Sequence, residues 1–280
     1  MEFPTWMKNR DLFLNLTRVD ILKCRNCSQL PPLGQLPLLD YLFIEGAWSI
    51  KHIGPEFMGS GREEAFPKLR KLILEDMPEW EEWTCEAKDG ARVMMPILES
   101  LVIKRCPRLK SLSQGLLRHA TNLTTLWIKE SHSLTVIEGF KTVQYAFLIR
   151  NNGVERVSDL PAVRTMVIRD CPALLHHVGV LPSLQNLEWG DSSMRFLPDW
   201  MLSTHPVPIF PTLQKMSIFV GDVPTLRRCL IDGPYWPKIQ HIPNVFIGVM
   251  NNRPEFISYT KEPFSFRTNI DAVVDAPPLP

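Results

Sequence analysis

The stretch Leu98-Glu-Ser-Leu101-Val-Ile103-Lys-Arg-Cys106 carries the pattern that decides the fold. Its three leucine-like residues are separated by two variable positions and then by one, and a cysteine follows shortly after the last of them. The same phrase returns as Val163-Arg-Thr-Met166-Val-Ile168-Arg-Asp-Cys171. Apolar residues that alternate with variable ones are typical of a strand with one buried face. Each phrase therefore predicts a short strand whose leucine-like side chains point inward.

The phrase recurs along the chain at intervals of 20 to 30 residues. Self-similarity at this period is the sequence signature of a leucine-rich repeat solenoid. We expect a β-rich α/β repeat solenoid: a leucine-rich repeat horseshoe of about nine to ten irregular repeats with a parallel sheet on its concave wall. The shortest spacers are predicted to hold only a loop or a turn of 3₁₀ helix. The first leucine-like positions, the last of them degenerate, are Leu16, Leu39, Leu69, Leu98, Leu123, Val143, Val163, Leu184, Leu213 and Ile239.

The two ends of the chain depart from the repeat pattern. Phe3-Pro-Thr-Trp6-Met resembles Leu197-Pro-Asp-Trp200-Met, a segment that follows a complete phrase. We therefore interpret residues 1–15 as the second half of a repeat, so that the array begins mid-repeat. From Tyr235 the phrase is no longer regular, and aromatic residues interrupt it. The sequence predicts a leucine-rich repeat solenoid over residues 1–234 and a C-terminal capping segment over residues 235–280, with a disordered tail from Asp271 to Pro280.

The composition excludes several classes of function. The 280 residues are 45% apolar and carry a net charge of +1, which gives no overall attraction to nucleic acid or to an anionic membrane. No apolar run approaches the roughly 18 residues that would span a bilayer, and the first residues do not form a secretion signal. Six cysteines are too few for a disulfide scaffold. We expect a cytoplasmic or nucleocytoplasmic protein without a membrane span.

Motifs of catalysis and of cofactor binding are missing. The chain has no Gly-rich loop with a Lys-Ser/Thr pair, no Gly-x-Ser-x-Gly elbow and no His-Glu-x-x-His. The acidic run around Glu79, Glu81 and Glu82 has no nucleophile beside it, and we interpret it as an exposed loop whose tryptophans, Trp80 and Trp83, fold back onto the solenoid. The sequence predicts no enzyme activity, no cofactor and no metal site.

The spacing Cys24-Arg-Asn-Cys27 fits half of a zinc site or a redox pair. No second pair of cysteines or histidines follows at the distance of a zinc site. Cys24 also occupies the same position of its phrase as Cys106 and Cys171, where a small thiol can pack under the backbone. We therefore favour a structural role for this cysteine column.

Stacking the phrases produces a column of residues that face the concave wall. The residue before the third leucine-like position is apolar or aromatic in six consecutive phrases. Strand propensity alone accounts for the β-branched members, but it accounts less well for the aromatic ones. A contiguous exposed apolar stripe indicates a contact site, where aromatic residues dominate the binding energy. The predicted partner-binding stripe consists of Phe43, Ile73, Val102, Trp127, Phe147 and Val167.

A second set of residues directly follows the third leucine-like position. In the central repeats it is basic, which predicts a lateral basic stripe beside the apolar one. Solvated surface charges are one interpretation, and an electrostatically steered protein contact is the other. The stripe is too short and too mixed in charge for a nucleic-acid interface. Its members are Lys104, Arg105, Lys129, Arg150 and Arg169.

Three stretches resemble a known family. Leu30-Pro-Pro-Leu-Gly-Gln-Leu-Pro-Leu-Leu39, Ser49-Ile-Lys-His-Ile-Gly-Pro-Glu-Phe57 and Leu74-Glu-Asp-Met-Pro-Glu-Trp-Glu-Glu-Trp83 are similar to the C-terminal repeats of plant coiled-coil nucleotide-binding leucine-rich-repeat disease resistance proteins. The tail from Trp236 to Asn269 is similar to the ends of cereal members. The resemblance covers nearly the whole chain.

The resemblance implies a protein-recognition module of an intracellular immune receptor. In that family the repeats sense pathogen effectors, or host proteins that effectors alter, and they restrain a nucleotide-binding switch, which this chain does not contain. The expected partners are therefore an effector, a guarded host protein or the nucleotide-binding domain of a full-length receptor. An F-box substrate receptor of a ubiquitin ligase is the alternative, although no F-box is found. An extracellular receptor fits less well, because its usual Asn-x-Leu-x-Gly-x-Ile-Pro spacer is absent.

Overall fold

The leucine-like residues of successive phrases lie in straight rows in the computed structural model of the chain. The structure describes residues 12–59, 64–84, 93–112, 120–175, 177–202, 209–250 and 255–270. The half-repeat expected over residues 1–15 therefore falls largely outside these ranges, as does the tail from Asp271 to Pro280.

Ten strands in the described ranges run parallel, and each pairs with the strand of the next repeat in the same register. In the first nine repeats the strand begins two residues after the first leucine-like position of the phrase. The strands are Arg18–Leu22, Tyr41–Glu45, Lys71–Glu75, Ser100–Lys104, Thr125–Lys129, Tyr145–Ile149, Thr165–Arg169, Asn186–Gly190, Lys215–Val220 and Asn244–Val249, which we number as repeats 1 to 10. The prediction of a leucine-rich repeat solenoid with a parallel sheet is confirmed.

The second and fourth residues of each strand form two inward rows that build the core. In repeats 2 to 5 the members of these rows, such as Leu72, Leu101 and Leu126, have no exposed surface. Burying a leucine side chain contributes about 1.5–3 kcal/mol relative to leaving it exposed. Because every repeat adds two such residues between its neighbours, each repeat is stabilised mainly by the repeats on either side.

A left-handed residue turns the chain out of the sheet at the end of most strands. These residues, which we call the corner column, are Lys23, Gly46, Asp76, Arg105, Glu130, Arg150 and Asp170, with φ from 50° to 72°. A left-handed conformation costs a non-glycine residue about 1–2 kcal/mol. The backbone offsets this cost, because each corner N–H donates to the last strand carbonyl of the next repeat, as Arg105 does to Lys129 at 2.9 Å.

Small polar or sulfur side chains follow the corner column in the central repeats. Cys106 and Cys171 are buried there, and their Sγ atoms lie 3.3 Å from the carbonyl of Lys104 and 3.4 Å from that of Arg169. Burial raises the pKa of the Cys106 thiol to about 12 and that of the Cys171 thiol to about 11. Ser131 occupies the same position in repeat 5 and is also fully buried. The predicted packing of a small thiol under the backbone is confirmed for these two cysteines.

The outer side of the solenoid carries short elements. Val136–Glu138, Arg156–Ser158 and His177–Val178 form a second parallel sheet, and His52–Ile53 pairs with Glu82–Trp83. The shortest spacers were expected to hold only a loop or a 3₁₀ turn, and this expectation was wrong. They also have room for a short strand, because a strand of three residues needs less length than a helical turn with its capping residues. The helices are Pro55–Met58, Asp199–Leu202, Val223–Arg227 and Trp236–Ile239, and 3₁₀ turns cover Leu33–Gln35 and Pro172–Leu175.

The C-terminal end differs from the prediction in its register. Ile239 ends a short helix, and the phrase of repeat 10 begins instead at Ile242, followed by Val245 and Ile247. Two antiparallel strands, Phe256–Thr260 and Ser265–Thr268, then close this edge of the sheet. The main sheet therefore runs past residue 234, and the boundary between solenoid and cap at that residue stays a prediction.

Aromatic residues anchor this C-terminal hairpin to the last repeat. The ring of Trp236 packs edge-on against Tyr259 and Phe266, with centroid distances of 4.8 and 5.5 Å. The Tyr259 hydroxyl donates to the carbonyl of Gln240 at 3.1 Å. Such pairs contribute about 0.5–1.5 kcal/mol beyond the area they bury, so these rings hold the antiparallel strands against the end of the parallel sheet.

Candidate protein-binding face

The middle residue of each main strand projects from the concave wall, which places the predicted apolar stripe in one row. Phe43, Ile73, Val102, Trp127, Phe147 and Val167 occupy matching positions of repeats 2 to 7. Five of them are half-buried, as expected for side chains on an open sheet. Val102 is buried, because it is the smaller side chain between Ile73 and Trp127 on the adjacent strands. It therefore offers little surface to a partner, contrary to the prediction of an exposed side chain.

The aromatic centre of this row is a stacked pair. The rings of Trp127 and Phe147 lie 4.8 Å apart with an angle of 24° between their planes. The Nζ atom of Lys104 lies 5.5 Å from the centre of the Trp127 ring, which permits a cation–π interaction. The indole Nε1 of Trp127 is buried and has no hydrogen-bond acceptor among the described atoms. The pair is therefore an apolar surface flanked by a positive charge.

The predicted basic stripe splits into two columns with different surroundings. Lys104, Lys129 and Arg169 end their strands on the concave wall, whereas Arg105 and Arg150 belong to the corner column. The five cations thus do not form one lateral row.

Carboxylates neutralise most of these cations. Arg105 contacts Glu75 at 2.8 Å and Glu45 at 3.4 Å, and it thereby links three repeats. Arg150 contacts Glu130 at 3.3 Å and lies 4.0 Å from Asp170. Arg105 is thus paired with carboxylates at the ends of strands, and Glu130, Arg150 and Asp170 form an ion-pair ladder within the corner column.

The concave cations are paired less completely. Arg169 donates from Nε to Glu188 at 2.6 Å, and Lys129 lies 3.6 Å from Glu130. Lys104 has no carboxylate partner in the part of the chain that the structure describes. Of these five cations, Lys104 beside Trp127 is therefore the one that a partner would meet without a neutralising carboxylate, and the roles of all five in binding stay predictions.

Comparison with known proteins fits this geometry. A family model described as R13L1/DRL21 LRRs matches residues 1–47. An Arabidopsis thaliana protein whose name assigns it to disease resistance is 39% identical over 119 residues, which are 41% of this chain and 8% of that protein. Disease resistance protein RGA2 of Solanum bulbocastanum is 29% identical over 166 residues, which are 56% of this chain and 16% of RGA2. No solved structure matches the chain.

The chain is a leucine-rich repeat solenoid with stretches similar to plant disease resistance proteins. A third relative, RPP13-like protein 1 of Arabidopsis thaliana, is 32% identical over 113 residues, 38% of this chain and 10% of that protein. The matched stretches span 8% to 16% of these three relatives. The similarity of the tail to cereal members stays a prediction.

A groove of about 540 Å³ on the lateral rim of this leucine-rich repeat region was not predicted. It lies beside Glu130, Arg150 and Asp170 of the corner column and extends to repeat 8. The sequence holds no local signal for it, because its walls come from four repeats. Its lining residues are Glu130, His132, Arg150, Asn152, Asp170, Pro172, Asp191, Ser192 and Ser193.

A second aromatic group on the concave wall was also missed. Phe219 lies 5.9 Å from Phe246, which stacks on Phe256 at 6.1 Å. Gly190 and Gly248 flank Phe219 on the adjacent strands, and the guanidinium of Arg169 lies 5.9 Å from the centre of the Phe219 ring. Correct placement of the tenth phrase at Ile242 would have added Phe246 to the concave column.

The features that could suggest other chemistry are explained by packing. Trp80 and Trp83 are buried, as predicted for the acidic loop, and Glu81 receives a hydrogen bond of 2.6 Å from Lys110. No cluster of three or more histidine, cysteine or acidic residues that could hold a metal ion occurs in the described ranges. None of the helices in those ranges has the length and apolar character needed to cross a membrane.

Cys24 and Cys27 depart from the expected structural column. The structure joins them in a disulfide, with Cα atoms 5.7 Å apart. The phrase position of Cys24 was predicted correctly, but its covalent partner was not.

Proposed function

We propose that this leucine-rich repeat region is a non-catalytic protein-recognition module of plant innate immunity, which senses a pathogen effector or an effector-modified host protein. It acts in the cytoplasm or in the nucleus and cytoplasm. In a full-length receptor it would also contact and restrain the nucleotide-binding domain. The similarity to disease resistance proteins supports the setting, and the concave wall supports the mode of contact.

One observation carries the proposal: the stacked Trp127–Phe147 pair lies partly exposed in the middle of the parallel sheet. Hot spots of protein interfaces are enriched in tryptophan and lie near the centre of the contact. Lys104 beside the pair adds a charge that can steer an acidic partner. Because strands on both sides hold the two rings, a partner would meet them with little loss of side-chain entropy.

Proximity labelling in plant leaf cells tests the proposal. The wild-type chain, the double variant Trp127→Ala/Phe147→Ala and the control Phe196→Ala are each fused to a labelling enzyme. Phe196 is an aromatic residue with 61% of its surface exposed and lies outside the concave row. Proteins labelled by the wild type and by Phe196→Ala, but not by the double variant, are the candidate partners.

Calorimetry with a purified candidate then measures the contribution of the pair. We expect the double variant to weaken binding by about 2–4 kcal/mol, which is a loss of affinity of about 30-fold or more. Circular dichroism checks that the fold is intact. Unchanged affinity of a folded double variant would show that recognition lies elsewhere, such as on the lateral rim.

A further inference from the structure

The disulfide between Cys24 and Cys27 lies in a turn that every repeat from 1 to 7 builds in the same way. The first residue of each turn directly follows the corner residue, and the backbone N–H of the turn's fourth residue donates back to the carbonyl of the first. The bond runs from Cys27 to Cys24 at 3.4 Å in repeat 1, and from Leu134 to Ser131 at 3.3 Å in repeat 5. The two cysteines thus occupy the first and last positions of a standard turn.

The residues at the last position show what is unusual about repeat 1. In repeats 2 to 7 this position holds a large apolar residue with no exposed surface: Ile50, Trp80, Leu109, Leu134, Val154 and Leu174. Cys27 is buried as well, with 6% of its surface exposed, but its side chain is much smaller. A covalent bond across the turn therefore stands where the other repeats use apolar packing.

The two sulfur atoms differ in access. Cys24 is half-buried and Cys27 is buried. The half-buried Cys24 sulfur is therefore the one that a small thiol in solution can reach more easily. The three free cysteines of the described ranges are Cys106, Cys171 and Cys229, all buried, and burial raises the pKa of each thiol to about 11 or 12. Buried, protonated thiols of this kind are inert.

Contacts connect the turn to the neighbouring repeats. The guanidinium of Arg25 lies 4.4 Å from the ring centre of Trp48, and the Ser49 hydroxyl donates to the Arg25 carbonyl at 2.6 Å. The Trp48 indole N–H in turn donates to the Asp76 carboxylate at 2.8 Å. A change in the turn of repeat 1 therefore reaches the rim of repeats 2 and 3.

We propose that Cys24 and Cys27 form a reversible thiol–disulfide site that exchanges with a low-molecular-weight thiol such as glutathione. The thiolate of the small thiol attacks the Cys24 sulfur, the Cys24–Cys27 bond breaks, and Cys27 leaves as a thiolate that takes up a proton. A second small thiol then attacks the mixed disulfide on Cys24, which releases the small-molecule disulfide and leaves Cys24 as a thiolate. Two electrons pass from two small thiols to the protein, and the reverse sequence closes the bond again.

The array itself supplies conservative variants for the test. Cys24→Ser introduces the residue that repeat 5 uses at the first position, Ser131, and Cys27→Val introduces the residue that repeat 6 uses at the last, Val154. Both substitutions therefore suit the turn. Cys229→Ser is the matched control, since it removes a buried cysteine far from the turn.

Alkylation and mass spectrometry provide the main measurement. The folded full chain is equilibrated with reduced and oxidised glutathione over a series of ratios, and is then treated with N-ethylmaleimide and mapped by peptide. We expect both Cys24 and Cys27 to change from unlabelled to labelled as the ratio becomes more reducing, while Cys106, Cys171 and Cys229 stay unlabelled at every ratio. The Cys229→Ser control should show the same transition. Labelling of Cys85, which lies outside the described residues, is measured on a separate peptide.

Two outcomes would overturn the proposal. Full labelling of the pair at every ratio would mean that the bond does not form in solution, and absence of labelling at every ratio would mean that it does not exchange. The single variants test the assignment of the attacked sulfur. With oxidised glutathione, Cys24 in Cys27→Val should acquire a glutathione adduct faster than Cys27 in Cys24→Ser, and equal or inverted rates would refute that assignment.

Hydrogen exchange gives an independent readout of the consequence. Reduction should speed the exchange of backbone amides in residues 23–50 of the wild type. The double variant Cys24→Ser/Cys27→Val should show no response to reduction. A response of the same size in the double variant would show that the change does not arise from this disulfide.

Discussion

Asn151 offers the sharpest test of how the solenoid is held together. Its side chain has no exposed surface, and it joins two backbone segments at the rim of repeats 5 and 6. The carboxamide oxygen accepts a hydrogen bond from the Ser131 N–H at 3.0 Å, and the amide nitrogen donates to the Ile128 carbonyl at 2.9 Å. Asn151→Ala removes both bonds and leaves a buried donor and a buried acceptor without that partner.

The magnitude follows from these two groups. Leaving one buried polar group unpaired costs about 1–3 kcal/mol. Two such groups at a rim that water can reach after the truncation give an expected loss of about 2–4 kcal/mol in the free energy of unfolding. Since the stability of a repeat array is close to a sum over neighbouring repeats, the loss should concentrate in repeats 5 and 6.

Urea unfolding followed by circular dichroism measures the loss, and hydrogen exchange of the amides in residues 125–150 locates it. The adjacent residue supplies the control: Asn152 is exposed, and Asn152→Ala should change stability by less than about 0.5 kcal/mol. Asn151→Cys should retain part of the stability, because Cys171 at the equivalent position places its Sγ 3.6 Å from the Leu148 carbonyl. Equal stabilities of Asn151→Ala and Asn152→Ala would refute the argument.

Three further predictions concern the core, a tight turn and a helix cap. Leu126→Ala should lower the free energy of unfolding by about 2–5 kcal/mol in urea titrations, because the leucine has no exposed surface. Gly153→Ala should lower the melting temperature, since an added Cβ would lie 2.0 Å from the carbonyl oxygen of His132; an unchanged value would contradict the geometry of this turn. Asp222 accepts a hydrogen bond from the Thr225 N–H at 2.9 Å, and hydrogen bonds from Thr225 lower the pKa of the Asp222 carboxyl. The stabilisation by the Asp222 cap is present above the unfolded-state pKa and is lost as the pH falls through the lower folded pKa. Asp222→Ala should therefore lower the free energy of unfolding by about 1 kcal/mol at pH 7 and by progressively less below about pH 4. A difference in stability between the wild type and the variant that stays constant down to pH 2 would count against the cap.

The inward rows could be predicted because they follow one local rule. From Leu39 to Leu213 the phrase alone places every main strand, since alternation and spacing act within six residues. The error at Ile239 arose where aromatic residues interrupt the rule, although Ile242, Val245 and Ile247 still obey it. Assignment of the main strands therefore failed only at repeat 10, where two overlapping candidates competed for one position.

The surface could be predicted much less well, because its contacts join residues of different repeats. Arg105 meets Glu45 across 60 positions, and no local pattern shows that this cation is already paired. The concave row was predicted from strand alternation, but the burial of Val102 depends on the sizes of its neighbours on adjacent strands. The sequence did not decide whether Cys24 forms a disulfide, since a pair of cysteines with this spacing also fits a metal site or two free thiols.

The shared register of the ten parallel strands has an evolutionary consequence. Each corner residue bonds to the last carbonyl of the following strand, whatever that strand's side chains are. Unequal crossing-over that removes or duplicates one whole unit would let the flanking strands meet with the same backbone bonds as before. Genes for such arrays can therefore gain or lose repeats and exchange the outward-facing side chains, while the backbone hydrogen bonds between the parallel strands are kept.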